Sequence, residues 1–188
     1  MRVILGMIAG TIAVIALGLA LYLGAFKSVE MEKVEHGPMN FLLIEKMGPY
    51  HKVSETIAKA EAWAKKNNIP CKITFGEYLD DPNKLEADRL RANVGCLIED
   101  ADKEAALSSL STSPQTESGE ALKFETRPQQ TYVKALFRGS PGIGPLKVYP
   151  KASNFMEDKG LQLSGPVIET YEITSPSDMT TVYFFPVR

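Results

Sequence analysis

Histidine, cysteine and tryptophan are all scarce in this chain: two, two and one among 188 residues. His36, His51, Cys71 and Cys96 stand at spacings that match no metal-ligand pattern, so no metal and no cofactor is expected. No serine lies in a Gly-x-Ser-x-Gly frame and neither histidine has an evident partner, which leaves a nucleophilic triad without support. Lysine and arginine nowhere cluster, and the net charge is −2. That excludes a nucleic-acid face and a polybasic lipid patch. Each cysteine falls in a segment that reads as a strand. Free core thiols and a cross-strand disulfide are both compatible with that placement, the second in an oxidising compartment.

Charge is missing altogether from residues 3–26, where Thr11 is the one clearly polar side chain. A helix needs ~20 apolar residues at ~1.5 Å each to cross a hydrocarbon core, and residues 1–27 read as a single-pass transmembrane anchor. A cleaved signal peptide is the rival reading, with Arg2 as its positive start and Gly18-Leu19-Ala20 as a small-x-small triplet. The apolar run continues past that triplet, beyond the ~7–15 residues of a signal core, which favours the anchor. Arg2 before the run and Lys27 and Lys33 after it give a small bias in basic residues. The expected orientation puts residues 28–188 on the non-cytoplasmic side.

What remains is about 160 residues, enough for a packed core. Residues 101–120 form a polar, turn-rich linker ending in Ser118-Gly119-Glu120. The flanking halves, 28–100 and 121–188, repeat one order of events. In the first, strands are expected over 29–35 and 40–46, a helix over 51–67, and strands over 71–78 and 91–99. In the second, strands are expected over 122–126 and 131–138, a helix ending at Lys159, and strands over 167–173 and 180–187. Pro150 either starts that second helix or kinks it. Gly139 follows Gly48 by 91 positions and Glu169 follows Glu77 by 92. The expected fold is α+β: duplicated ββαββ halves forming an antiparallel sheet layer with two helices, preceded by one transmembrane helix.

A groove between two such halves is the natural place for a ligand. Tyrosines gather near corresponding strand ends: Tyr50, Tyr78, Tyr171 and Tyr183. Alternation puts Glu169 and Tyr171 on one face of their strand. A buried carboxylate among aromatic rings suits a cationic or hydrogen-bond-donating ligand, whereas an edge strand would turn Glu169 to solvent. Glu77 is a candidate second acid of the same pocket. Asp80 and Asp81 beside Arg89 and Arg91 read as local ion pairing, and Trp63 as core.

The pattern Met47-Gly48-Pro49-Tyr50, Trp63, Gly76-Glu77-Tyr78-Leu79-Asp80-Asp81-Pro82, Arg91 and Cys96, then Phe137-Arg138-Gly139, Gly165-Pro166-Val167-Ile168-Glu169-Thr170-Tyr171-Glu172 and the closing Thr181-Val182-Tyr183-Phe184-Phe185-Pro186-Val187 resembles the GyrI-like effector-binding family. That family includes drug-binding domains of AraC- and MerR-type regulators and a gyrase-inhibitory protein. A GyrI-like ER-phagy receptor has the same layout of membrane helix followed by domain. The resemblance implies a small hydrophobic or cationic ligand held against Glu169, with Tyr171, Tyr183, Tyr78 and Tyr50 as walls and no catalytic residue. It also implies one alternative, a hydrolase of cyclopropanoid electrophiles using Glu169 on water; a second alternative, apart from the resemblance, is a protein-interaction module in which the cleft or a sheet edge binds a peptide without a small molecule. A related haem-binding fold makes haem an outside option. No helix-turn-helix precedes the domain, so a transcription-regulator role does not transfer.

Overall fold

Local alternation and glycine-containing turns build two copies of one ββαββ unit. The computed structural model describes residues 2–175 and 178–188. The first unit holds β1 (Val29–His36), β2 (Met39–Met47), helix α2 (Val53–Lys66), β3 (Ile73–Tyr78) and β4 (Arg91–Ile98). The second holds β5 (Lys123–Arg127), β6 (Gln130–Phe137), helix α4 (Gly144–Asp158), β7 (Val167–Ser175) and β8 (Asp178–Pro186). The expected α+β duplication is therefore present, with boundaries shifted by a few residues.

The eight strands form one antiparallel sheet in the order β1-β6-β8-β7-β3-β4-β2-β5. Each first strand crosses to the other half. β1 pairs with β6 from Val29↔Phe137 to His36↔Gln130, and β5 pairs with β2 from Met39↔Arg127 to Leu43↔Lys123. The two short connections that permit this meet each other: a Cβ on Gly37 would stand 3.1 Å from the Gln129 Cα. The halves are thus interlocked. β3 and β7 meet at the centre of the sheet, with Gly76 directly opposite Glu169.

Helices α2 and α4 cover one face. α2 buries Ala60, Trp63 and Ala64 on Leu42, Ile44 and Cys96, and α4 buries Val148 and Ala152 on Val133, Ala135 and Phe185. The other face closes around Phe41, Phe75, Tyr132, Ile168 and Phe184. α4 begins with Pro145 in its first turn and runs on through Pro150, where the missing N–H leaves the Leu146 carbonyl without its helical donor.

Two expectations need correcting. Residues 101–120 are not a featureless linker: helix α3 (Lys103–Thr112) lies within them, and its Ala106 is fully buried. The Ser113 carbonyl just beyond it accepts the Trp63 indole N–H at 2.9 Å. A ten-residue helix rich in serine has too few apolar positions to announce itself. Cys71 and Cys96 are joined in a disulfide, and Cys71 lies just before β3 rather than in it.

Helix α1 (Arg2–Leu23) precedes the domain. Its described side chains are those of Met7, Ile8 and Gly10 onward, and among the described residues no helix is long and apolar enough to cross a membrane. Ile12, Val14, Ile15, Leu17, Leu19 and Leu21 are all more than half exposed, between 54% and 71%.

Candidate functional site

The antiparallel pair β3–β7 forms a floor between α2 and α4. Above it lies a groove of about 1560 Å³. Residues directly opposite across an antiparallel pair share a face, so Thr74 with Tyr171, Gly76 with Glu169 and Tyr78 with Val167 project together into it. Gly76 leaves room here: a Cβ would stand 3.0 Å from the Tyr78 ring, which folds back across the strand and would have to shift slightly.

Glu169 is 4% exposed. The Tyr149 hydroxyl donates to its Oε1 at 2.8 Å and the Tyr171 hydroxyl to its Oε2 at 3.1 Å. With that proton committed, the Tyr171 oxygen accepts from Tyr78 at 2.8 Å. The chain of hydroxyls ends on the carboxylate, and no cation pairs with it among the described residues. Burial pushes the Glu169 carboxyl up to about 7, against the pull of the two hydroxyls. Burial and the adjacent carboxylate push the Tyr78, Tyr149 and Tyr171 hydroxyls up as well, so all three remain donors.

The charged groups lining the groove are Glu61, Asp80, Asp81 and Glu169; no lysine or arginine lines it among the described residues. Burial also pushes the Glu61 carboxyl up. Hydrogen bonds from Arg91 hold Asp80 low, and the Asp80–Arg91 pair, closed at 2.8 and 3.0 Å, is the local ion pair expected there.

The structure brings Glu169, Tyr171, Tyr78 and Tyr50 together at the groove. Tyr50 packs edge-on against Tyr78 at 4.7 Å between centroids, and its hydroxyl accepts from the Asp80 N–H at 3.1 Å, fastening the β3–β4 loop to the wall. Tyr183 stands directly opposite Glu169 on β8 but does not line the groove. It is fully buried beneath α4, where a Cβ on Gly144 would fall 2.1 Å from its hydroxyl. Among the described residues that hydroxyl completes no hydrogen bond of good geometry, and the ring backs Tyr149 edge-on at 6.0 Å. Tyr149 is the wall residue that sequence reasoning missed. The uncertainty over Pro150 left that helix with no assigned face. Trp63 is core, as expected.

Glu77 is not a second groove acid. It sits opposite Ile168 and so faces the other side of the sheet. There Arg127 grips it through Nε at 3.0 Å and Nη2 at 2.8 Å, and Asn93 donates at 2.7 Å. The structural counterpart of Glu169 is Gly76, one residue earlier, and a slip of one residue in a strand reverses the face.

Residues 29–188 match the family model described as the GyrI-like small molecule binding domain. A DNA gyrase inhibitor of Pectobacterium carotovorum is 34% identical over 68 residues, 36% of this chain and 43% of that protein. The chain thus spans less than half the length of the curated relatives it matches. The C-terminal domain of EcmrR superposes with a TM-score of 0.60 at 14% identity, covering 85% of this chain and 98% of that one. A structure of SAV2435 bound to tetraphenylphosphonium superposes with a TM-score of 0.50 at 10% identity, covering 85% and 94%. At these identities the likeness is one of fold.

Proposed function

Since the chain belongs to the GyrI-like small-molecule-binding domain family, we propose that it is a membrane-anchored receptor that captures amphipathic cations non-covalently in the groove between α2 and α4. One observation carries this reading: a buried carboxylate faces a groove whose charged lining is otherwise acidic. Burying a charge costs free energy unless a counter-charge compensates it. Here the ligand supplies the counter-charge, and the rings of Tyr78, Tyr149 and Tyr171 supply contact area and a favourable face for a cation. SAV2435, a protein of like fold, was solved bound to tetraphenylphosphonium, a ligand of this chemical class.

The anchor is α1. Residues 3–26 carry no charge, and a helix that is apolar all round has no polar face to give to water. The domain lies on the non-cytoplasmic side; the Cys71–Cys96 disulfide supports this, because such bonds persist in oxidising compartments. Alkaline extraction of membranes and protease protection test the anchor and its orientation. For the ligand, tetraphenylphosphonium is titrated against full-length protein in detergent. It raises the melting temperature of the native chain by mass action and fails to do so with Glu169→Gln. Equal shifts in both proteins overturn the site.

A hydrolytic reading draws on the same carboxylate, which titrates near 7 where a general base works best. It requires turnover of an electrophilic substrate that disappears with Glu169→Gln.

A further inference from the structure

We propose that the groove opens at the membrane interface, so that its cation is taken from the lipid headgroup layer rather than from bulk water. This rests on the anchor reading above and adds to it a fixed geometry between helix and groove.

α1 ends sharply. The Ala25 N–H bonds the Ala20 carbonyl at 2.9 Å and the Gly24 N–H bonds the Leu21 carbonyl at 3.1 Å, with Gly24 at φ +82°. This is the closed helix stop that a left-handed glycine permits. The next carbonyls are claimed by the domain. Leu23 O accepts the Ser140 N–H at 2.9 Å. The Lys147 ammonium donates to Ala25 O at 2.6 Å, to Gly24 O at 3.4 Å and to Lys27 O. Backbones touch here as well: a Cβ on Gly24 would stand 3.1 Å from the Gly139 Cα, and one on Gly139 would stand 2.9 Å from Leu23 O. Such a junction holds the domain at one angle to the helix instead of letting it swing on a linker.

Both tethers sit beside one lip of the groove. Ser140 precedes Pro141, and Lys147 follows Leu146; Pro141, Gly142, Pro145 and Leu146 all line that lip. Leu146 is 78% exposed, the most exposed large apolar side chain among the described residues. On the anchor reading, α1 with the uncharged residues 3–26 crosses the ~30 Å hydrocarbon core. Its C-terminal end therefore lies at headgroup level, and the lip fastened to it lies there too. The opposite lip, formed by Tyr50 and the β3–β4 loop, has no such tether among the described residues. A lipophilic cation concentrated in the interface meets an apolar lip first and Glu169 below it.

The test uses full-length protein in phosphatidylcholine–phosphatidylglycerol vesicles. Leu146→Cys carries an environment-sensitive fluorophore, and Leu107→Cys on α3 carries the same label as a control. The native cysteines are joined and do not react. The expected result is blue-shifted emission at position 146, lost when headgroup-level nitroxide lipids are included, with no change at 107. Alkaline extraction of the same vesicles reports whether α1 is inserted. Inserted α1 with water-like emission at 146 overturns the inference and leaves the anchor standing. Extractable α1 overturns both. Shielding at 146 without loss of emission to lipid quenchers overturns it in favour of a protein partner on that lip.

Discussion

Glu77 and Glu169 are each 4% exposed, stand on neighbouring central strands, and follow one another at nearly the repeat distance. Their surroundings are opposite. Glu77 faces the inner side of the sheet and is held by Arg127 and Asn93. Glu169 faces the groove and, among the described residues, is held only by tyrosine hydroxyls. A carboxylate closed by a bidentate arginine is part of the architecture, because its charge is already spent. A carboxylate satisfied by neutral donors keeps its charge available. Burial alone therefore does not mark a functional acid; what completes its shell does.

The largest expected effect comes from breaking the closed pair. Arg127→Ala leaves Glu77 buried without its cation and destabilises the fold by ~3–5 kcal/mol, read from chemical denaturation. Glu169→Gln does the reverse in alkaline solution. The native carboxyl titrates near 7, above its ordinary 4.5, so its contribution to stability is fully present below about 4.5 and is lost as pH rises through about 7. The loss amounts to ~3 kcal/mol. Denaturation at pH 8 then finds Glu169→Gln more stable than the native chain, with the difference gone at pH 4.

Ligand binding sharpens the same contrast. A cation binds the ionised form, so tetraphenylphosphonium affinity rises by up to about tenfold per pH unit below 7 and levels off above it. Calorimetric titration from pH 5 to 8 checks this; a flat profile removes Glu169 from the site. Smaller still is the effect of its donors. Tyr149→Phe removes one hydrogen bond to the charged carboxylate and moves the midpoint of that profile upward by about one unit. Tyr183→Phe, which removes a buried hydroxyl that completes no hydrogen bond of good geometry among the described residues, leaves the midpoint in place and stability unchanged or slightly raised.

Much of the fold is legible from short-range pattern. Apolar alternation marks the eight strands, and the stripe Val53, Ile57, Ala60 and Ala64 marks α2, all four being buried. The shared face of Glu169 and Tyr171 follows from strand period alone. Tyr149 was hidden because a proline within a helix reads as a boundary, while here the helix continues through it. Tyr183 shares the face of Glu169, directly opposite it, yet does not reach the groove, because alternation identifies a face and says nothing about what covers that face. α4 covers it.

Sequence by itself determined the duplicated order of strands and helices and the alternation that aims Glu169 and Tyr171 the same way, since both follow from periods of a few residues. Only the tertiary structure decided the exchange of first strands, the Cys71–Cys96 bond, and which glutamate is neutralised. Arg127 reaches Glu77 from 50 residues away, through a strand that pairs outside its own half. Register across such distances is set by which whole sheet buries the most apolar surface, and no local pattern encodes that sum.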